Sequence, residues 1–129
     1  MHKPQEDQKM EFCWITLQVN DMESSLHFYR DLLEIPISRR FSHDAVEIVM
    51  LGSEDMPQIE LICNKNETRK KNAEGISIGF EVISLDEAMN HMKSNSIPIE
   101  KGPFAPNPHI RFCYINDPDG FEVQLVENI

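Results

Sequence analysis

Residues 17–37 read LQVNDMESSLHFYRDLLEIPI, and residues 80–99 read FEVISLDEAMNHMKSNSIPI. With Val19 set on Val82, the end of one strand-like segment meets another, and one helix start meets another. After a one-residue gap, Ile35-Pro36-Ile37 falls on Ile97-Pro98-Ile99. The halves also end alike: Gln58-Ile59-Glu60-Leu61-Ile62 matches Glu122-Val123-Gln124-Leu125-Val126. The offset is 63 at the first matched pair (19 to 82) and 64 at the last (60 to 124). That exceeds the roughly 20–50 residues of solenoid repeats and marks a duplicated module.

Each half opens on period-two alternation, Phe12-Cys13-Trp14-Ile15-Thr16-Leu17-Gln18-Val19 and Ile76-Ser77-Ile78-Gly79-Phe80-Glu81-Val82. Such alternation predicts a strand with one face on a core. A helix follows each. Asp21 is placed to cap the first, where Met22, Leu26, Tyr29 and Leu33 form an apolar stripe. Ser84 and Glu87 are spaced as a capping box for the second, which turns Leu85, Met89 and Met92 inward. Further strands are predicted over 37–41, 46–51 and 57–63, the first two as a hairpin around Ser42-His43-Asp44. In the second half, strands over 109–115 and 121–126 flank the turn Asn116-Asp117-Pro118-Asp119-Gly120. The segment Gly102-Pro103-Phe104-Ala105-Pro106-Asn107-Pro108 reads as a stiff loop.

The expected organisation is a loose polar tail over 1–10 and one domain over 11–129. Within it lie module one at 11–64, a linker at 65–75 carrying Lys65, Arg69, Lys70 and Lys71, and module two at 76–127. The chain has 129 residues, 40% of them apolar, enough for one core, and no apolar run of transmembrane length. A formal charge of −10 argues against a nucleic-acid partner and gives no reason to expect a membrane one. It suits a cationic ligand, and equally an ordinary acidic protein. Cys13, Cys63 and Cys113 are an odd, widely spaced set, read as buried thiols in a reducing compartment, so cytoplasmic placement is expected.

Two tandem β-α-β-β-β modules, with Val19-Asn20-Asp21-Met22-Glu23-Ser24-Ser25-Leu26-His27-Phe28-Tyr29 and Asp117-Pro118-Asp119-Gly120-Phe121-Glu122-Val123-Gln124-Leu125, resemble the vicinal oxygen chelate superfamily. That group takes in glyoxalase I, extradiol dioxygenases and bleomycin-resistance proteins. The resemblance covers about residues 12–127 and implies an α+β fold. Its modules would form a curved mixed-sheet half-barrel around a ligand cavity, and the protein would be a homodimer. It also implies four metal-ligand positions, which in this sequence are Trp14, Glu60, Ser77 and Gln124. Of these, only Glu60 keeps the residue type that glyoxalase-like members use.

The alternation points to the same places without the resemblance. If Cys13, Ile15, Leu17 and Val19 face the helix, then Phe12, Trp14, Thr16 and Gln18 face away, as do Gln58 and Glu60, Ser77 and Glu81, Glu122 and Gln124. Polar side chains recurring on one face line either open water or a wet cavity. As a metal site the quartet is poor: an indole N–H cannot ligate, and a neutral hydroxyl and amide add little to one carboxylate. No cofactor is therefore expected, with Zn or Ni at Glu60 and its partners as the lesser reading. Glu60 is the candidate catalytic base; Trp14, Gln18, Gln58, Ser77, Glu122, Gln124 and Phe104 are candidate ligand contacts. Arg39, Arg40 and Arg111 are candidates to hold an anion, or simply solvated. His27 and His91 fall on exposed helix faces; His43, in a hairpin tip, and His109, at a strand start, are placed to approach the cavity mouth or simply lie on the surface. Two functions follow: a metal-independent small-molecule binder, or a glyoxalase-like carbon-sulfur lyase or isomerase using Glu60. A scaffold role is a third.

Overall fold

The computed structural model describes residues 10–68 and 73–129. The chain divides into two compact units, residues 1–69 and 70–129. Unit 1 runs β1 (Trp14–Gln18), helix α1 (Met22–Leu26) continued by a π-helical segment (His27–Leu32), then β2 (Ile37–His43), β3 (Val46–Leu51) and β4 (Gln58–Asn64). Unit 2 runs β5 (Ala73–Glu81), α2 (Leu85–Ser94), β6 (Lys101–Asn107), β7 (Ile110–Asn116) and β8 (Phe121–Asn128). The sheets have equivalent strand orders, β1-β4-β3-β2 and β5-β8-β7-β6. In each, the first strand pairs parallel with the last and the remaining pairs are antiparallel. The architecture is α+β with two mixed sheets, as the duplication predicts.

The helix side of each sheet is the core. In unit 1, Leu17, Val49, Leu51 and Leu61 are buried with Met22, Leu26, Phe28, Tyr29 and Leu32 of the helix. In unit 2, Cys113, Ile115, Val123 and Leu125 are buried with Leu85, Met89 and Met92. Each such leucine contributes about 1.5–3 kcal/mol of apolar burial. Asp21 caps α1 by accepting from the Ser24 N–H at 3.0 Å. Ser84 accepts from the Glu87 N–H at 3.2 Å, while Glu127 of β8 takes the Leu85 N–H at 2.7 Å. The latter bond ties α2 to its sheet. The π-helical stretch shows in the Leu33 N–H donating to Phe28 O at 3.0 Å, five residues back. The wider turn is compatible with Phe28, Tyr29 and Leu32 all being buried.

Several sequence expectations need correction. The segment read as a stiff loop is β6. It is the outermost strand of its sheet, the position where Pro103 and Pro106 cost no central ladder bonds, and its register against β7 shifts twice. Gly102 is required there, since it takes φ +92° with Phe112 O only 3.0 Å from where a Cβ would sit. β5 starts at Ala73, within the expected linker. His43 belongs to β2 and pairs with Val46, so the hairpin turn is Asp44-Ala45, with Asp44 at φ 54°. Cys13 is exposed and precedes β1, unlike the buried Cys63 and Cys113. Of the expected tail, residues 1–9 lie outside the described residues, as do Arg69, Lys70 and Lys71 of the linker.

Candidate functional site

In each unit the helix covers one face of its sheet, and strand register fixes which side chains share the other. In unit 1, one row across the sheet reads Thr16, Glu60, Met50, Arg39. The next reads Gln18, Ile62, Ile48, Phe41. Trp14 stands beside Gln58. In unit 2 the corresponding rows read Gly79, Gln124, Tyr114, Lys101 and Glu81, Val126, Phe112, Phe104, with Ser77 beside Glu122. The predicted contacts thus fall on two like-built faces: Trp14, Gln18, Gln58 and Glu60 on one, Ser77, Phe104, Glu122 and Gln124 on the other.

On the face of unit 1, Glu60 Oε1 accepts a hydrogen bond from the Thr16 hydroxyl at 2.7 Å. Trp14 is 47% exposed and lines a cleft with Phe12, Met56, Pro57 and Gln58. Gln58 is less available than its alternation suggests: its Nε2 donates to Ser38 Oγ at 2.6 Å and to Gly52 O at 3.2 Å. It therefore braces the loop before β4. Gln18 lines a second cleft with Asn20, Val46, Ile62, Asn64 and Thr68. Asn20, Asn64 and Thr68 extend the polar surface beyond the residues singled out from sequence.

On the face of unit 2, Glu122 is held by Lys101, Nζ to Oε2 at 2.9 Å. That hydrogen bond keeps the Lys101 ammonium above its ordinary range. Lys101 also sits 4.9 Å from the centre of the Tyr114 ring. Tyr114, Phe112 and Phe104 contact one another, with centroids 5.6, 5.9 and 6.4 Å apart. Gln124 Nε2 donates to Tyr114 Oη across 3.4 Å. Of this group the sequence reading named Phe104, Glu122 and Gln124 but missed Lys101, Phe112 and Tyr114. The signal was available: 110, 112 and 114 alternate on β7, and recognising β6 brings Lys101 alongside.

The arginines separate cleanly. Arg40 bridges Glu23 of α1 and Glu47 of β3 at 2.9 and 2.7 Å, and Arg111 bridges Asp86 of α2 at 3.0 Å. Both clamp a helix to its sheet. Arg39, by contrast, stacks over Phe41 at 5.9 Å on the open face. His27, His43, His91 and His109 are exposed. His27 Nδ1 lies 3.5 Å from Asp31 and His43 Nε2 3.4 Å from Asp44.

The residues that the sequence resemblance implies as metal positions, Trp14, Glu60, Ser77 and Gln124, are a poor donor set for a transition metal. Unit 1 supplies one carboxylate there, Glu60, bonded by Thr16, together with an indole. Unit 2 supplies a hydroxyl and a carboxamide. Zinc-type sites call for three or four imidazole, thiolate or carboxylate ligands. Neighbouring carboxylates are engaged elsewhere, Glu122 by Lys101 and Glu81 by Asn128 at 2.8 Å. Among the described residues, no three His, Cys, Asp or Glu side chains gather as a metal group, and no helix is long and apolar enough to cross a membrane.

Comparison with known proteins adds the following. The profile of the Glyoxalase/Bleomycin resistance protein/Dioxygenase superfamily matches residues 12–125. A lactoylglutathione lyase of Haemophilus influenzae is 24% identical over 127 residues, spanning 92% of this chain and 93% of the lyase. The trypanothione-dependent glyoxalase I of Leishmania major superposes with a TM-score of 0.81 at 23% identity, over 92% of this chain and 87% of that one. An antibiotic binding protein from Streptomyces superposes with a TM-score of 0.74 at 13% identity, over 95% and 99%. At such identities the superpositions establish the fold and no activity.

Proposed function

Because the chain belongs to the Glyoxalase/Bleomycin resistance protein/Dioxygenase superfamily, we propose that it is a metal-independent small-molecule binder, of the sequestering or sensing kind. The observation that carries this reading is the donor chemistry at the four family positions. Trp14, Glu60, Ser77 and Gln124 provide one anionic ligand between them. What the open faces offer instead suits ligand contact: an exposed indole, amides, an aromatic cluster and a stacked guanidinium. Indole and phenyl faces supply stacking and cation–π surface, and amides supply directional hydrogen bonds. In this reading the protein is cytoplasmic and dimerises. Ligand contacts are Trp14 and Gln18 on the face of unit 1 and Ser77, Phe104 and Gln124 on the face of unit 2, with Gln58 and Glu122 braced beside them.

The distant lactoylglutathione lyase relative favours a second reading. Here Glu60, positioned by the Thr16 hydroxyl, is the general base of a carbon-sulfur lyase or isomerase. Its proton would come from a carbon beside a carbonyl, and the enediolate formed would need an oxyanion donor.

One experiment separates the two. The purified protein is analysed for bound transition metal, then assayed with the hemithioacetal of methylglyoxal and glutathione, with and without added Ni or Zn. Binder behaviour is metal well below one equivalent, no turnover, and quenching of Trp14, the single tryptophan, by candidate ligands. Turnover that Glu60→Gln abolishes overturns the binder reading.

A further inference from the structure

The geometry points to the open face of unit 2 as a recess for a flat, uncharged aromatic ring with an N–H or O–H on its edge; this deepens the binder reading and rests on it. Register places Gly79 where unit 1 has Thr16, on the edge strand β5 and beside Gln124 of β8. A Cβ built there meets only Gln124 Oε1, at 3.7 Å, among the described residues. Glycine weakens a strand interior and commonly marks a place where something approaches the backbone closely. Here it leaves the space beside Gln124 without a side chain. Gln124 Oε1 borders that space, while Gln124 Nε2 leans on Tyr114 Oη at 3.4 Å. An acceptor therefore faces the recess.

The far wall is aromatic. Tyr114 lies in the same row as Gly79, two strand spacings or about 10 Å away. Phe112 and Phe104 complete a three-ring cluster, and Phe104 remains 45% exposed. At the matching register positions unit 1 carries Met50, Ile48 and Phe41, so the wall belongs to unit 2 alone. Charge complementarity selects the occupant. The one cation of this row, Lys101, is already neutralised by Glu122 at 2.9 Å. The rim thus offers a paired dipole, and a free carboxylate or ammonium on the ligand would have to compete with an existing bridge. A neutral ring carrying a hydrogen-bond donor fits best: its faces pack on the phenyl and phenol rings and its donor reaches Gln124 Oε1.

The probe is 2-quinolone, a flat bicyclic lactam, against 2-piperidone, which has the same lactam edge without the aromatic ring. Both are titrated into the full-length, uniformly 15N-labelled protein and followed by amide shifts. The expected result is saturable 2-quinolone shifts at Gly79, Gln124, Tyr114 and Phe104, with 2-piperidone at least tenfold weaker. Gly79→Val fills the recess with a strand-favouring side chain; it should leave thermal stability unchanged or raised and weaken 2-quinolone at least tenfold. Phe104→Ala, at an exposed edge position, should weaken it several-fold without unfolding. Equal affinity for the two lactams, full affinity in folded Gly79→Val or Phe104→Ala, or no saturable shift overturns the inference. Shifts confined to Trp14 and its neighbours also overturn it, yet leave ligand binding in place. Metal content and turnover decide the binder reading separately, so the two can fail independently.

Discussion

Removing the Asp117 carboxylate should loosen unit 2 at the strand that carries Glu122 and Gln124. Asp117 is 5% exposed, and its Oδ1 accepts the backbone N–H groups of Asp119 at 2.9 Å and Phe121 at 2.8 Å. Its own N–H donates to Phe121 O at 2.9 Å, and Gly120, at φ +86°, returns a bond to Asp117 O at 3.0 Å. Side chain and backbone together close the turn from which β8 departs. A hydrogen bond to a charged group contributes about 1.5–3 kcal/mol, and an unsatisfied buried N–H costs about 1–3 kcal/mol. Water entering the vacated space offsets part of this. Asp117→Ala should therefore cost about 2–4 kcal/mol, or roughly 8–15 °C in melting temperature for a domain of this length. Asp117→Asn keeps an acceptor oxygen and loses only the charge, so about 1–2 kcal/mol is expected. Urea and thermal unfolding of the three proteins measure the differences. If Asp117→Ala falls within 0.5 kcal/mol of the parent, roughly the scatter of an ordinary surface change, the turn does not hold β8 as argued.

Three further outcomes are expected. If the family's metal positions are correctly placed on this chain, Trp14→His, Ser77→His and Gln124→Glu together should create Zn or Ni affinity, read by calorimetry; a folded triple variant with unchanged metal binding shows that the wrong positions were assigned. One thiol, Cys13, should react promptly with a thiol reagent in the native protein, and the other two only on unfolding, since Cys63 and Cys113 are buried and burial raises the Cys113 thiol's pKa; three fast thiols in the native state would contradict this. The hydrogen bond from Arg30 holds the Asp31 carboxyl below its ordinary 3.8, so the pair's contribution to stability is in place above that pH and fades as pH falls through the lower folded value. An NMR titration of Asp31 should give a midpoint below 3.8 that Arg30→Gln raises; a midpoint at or above the ordinary value refutes the pairing.

The parts of this fold written in the sequence are those that repeat a period. Leu17, Leu61, Leu85 and Leu125 announce themselves by alternation or helical spacing, and all are buried. The same parity placed Trp14, Thr16 and Glu60 on one face before any register was known. What resisted reading has a physical reason in each case. β6 contains two prolines and a glycine, the composition of a loop, and only its edge position makes it a strand. With β6 went Lys101, and with Lys101 the bridge that occupies Glu122. Gln58 looked like its neighbour Glu60 because alternation reports the face, whereas its bonds to Ser38 and Gly52 come from a loop no period describes. The π-helical segment is likewise a matter of hydrogen-bond reach, since Phe28, Tyr29 and Leu32 suit an α-helix as well.

The two units also separate what the scaffold fixes from what it leaves free. On the helix side, matched register positions hold apolar pairs: Leu17 with Phe80, Leu61 with Leu125, Val49 with Cys113, Leu51 with Ile115. On that buried side a polar side chain would lose its hydrogen bonds to water. On the open side the same positions change chemistry: Thr16 against Gly79, Glu60 against Gln124, Met50 against Tyr114, Ile48 against Phe112. The helix does not dictate these residues, and their chemistry differs between the units. The carboxylate with its hydroxyl partner stands in one unit, and the amide with its aromatic wall stands in the other. A fold shared by lyases and antibiotic binders cannot by itself decide between those activities. In the reading proposed above the decision rests on the donor chemistry of Trp14, Glu60, Ser77 and Gln124.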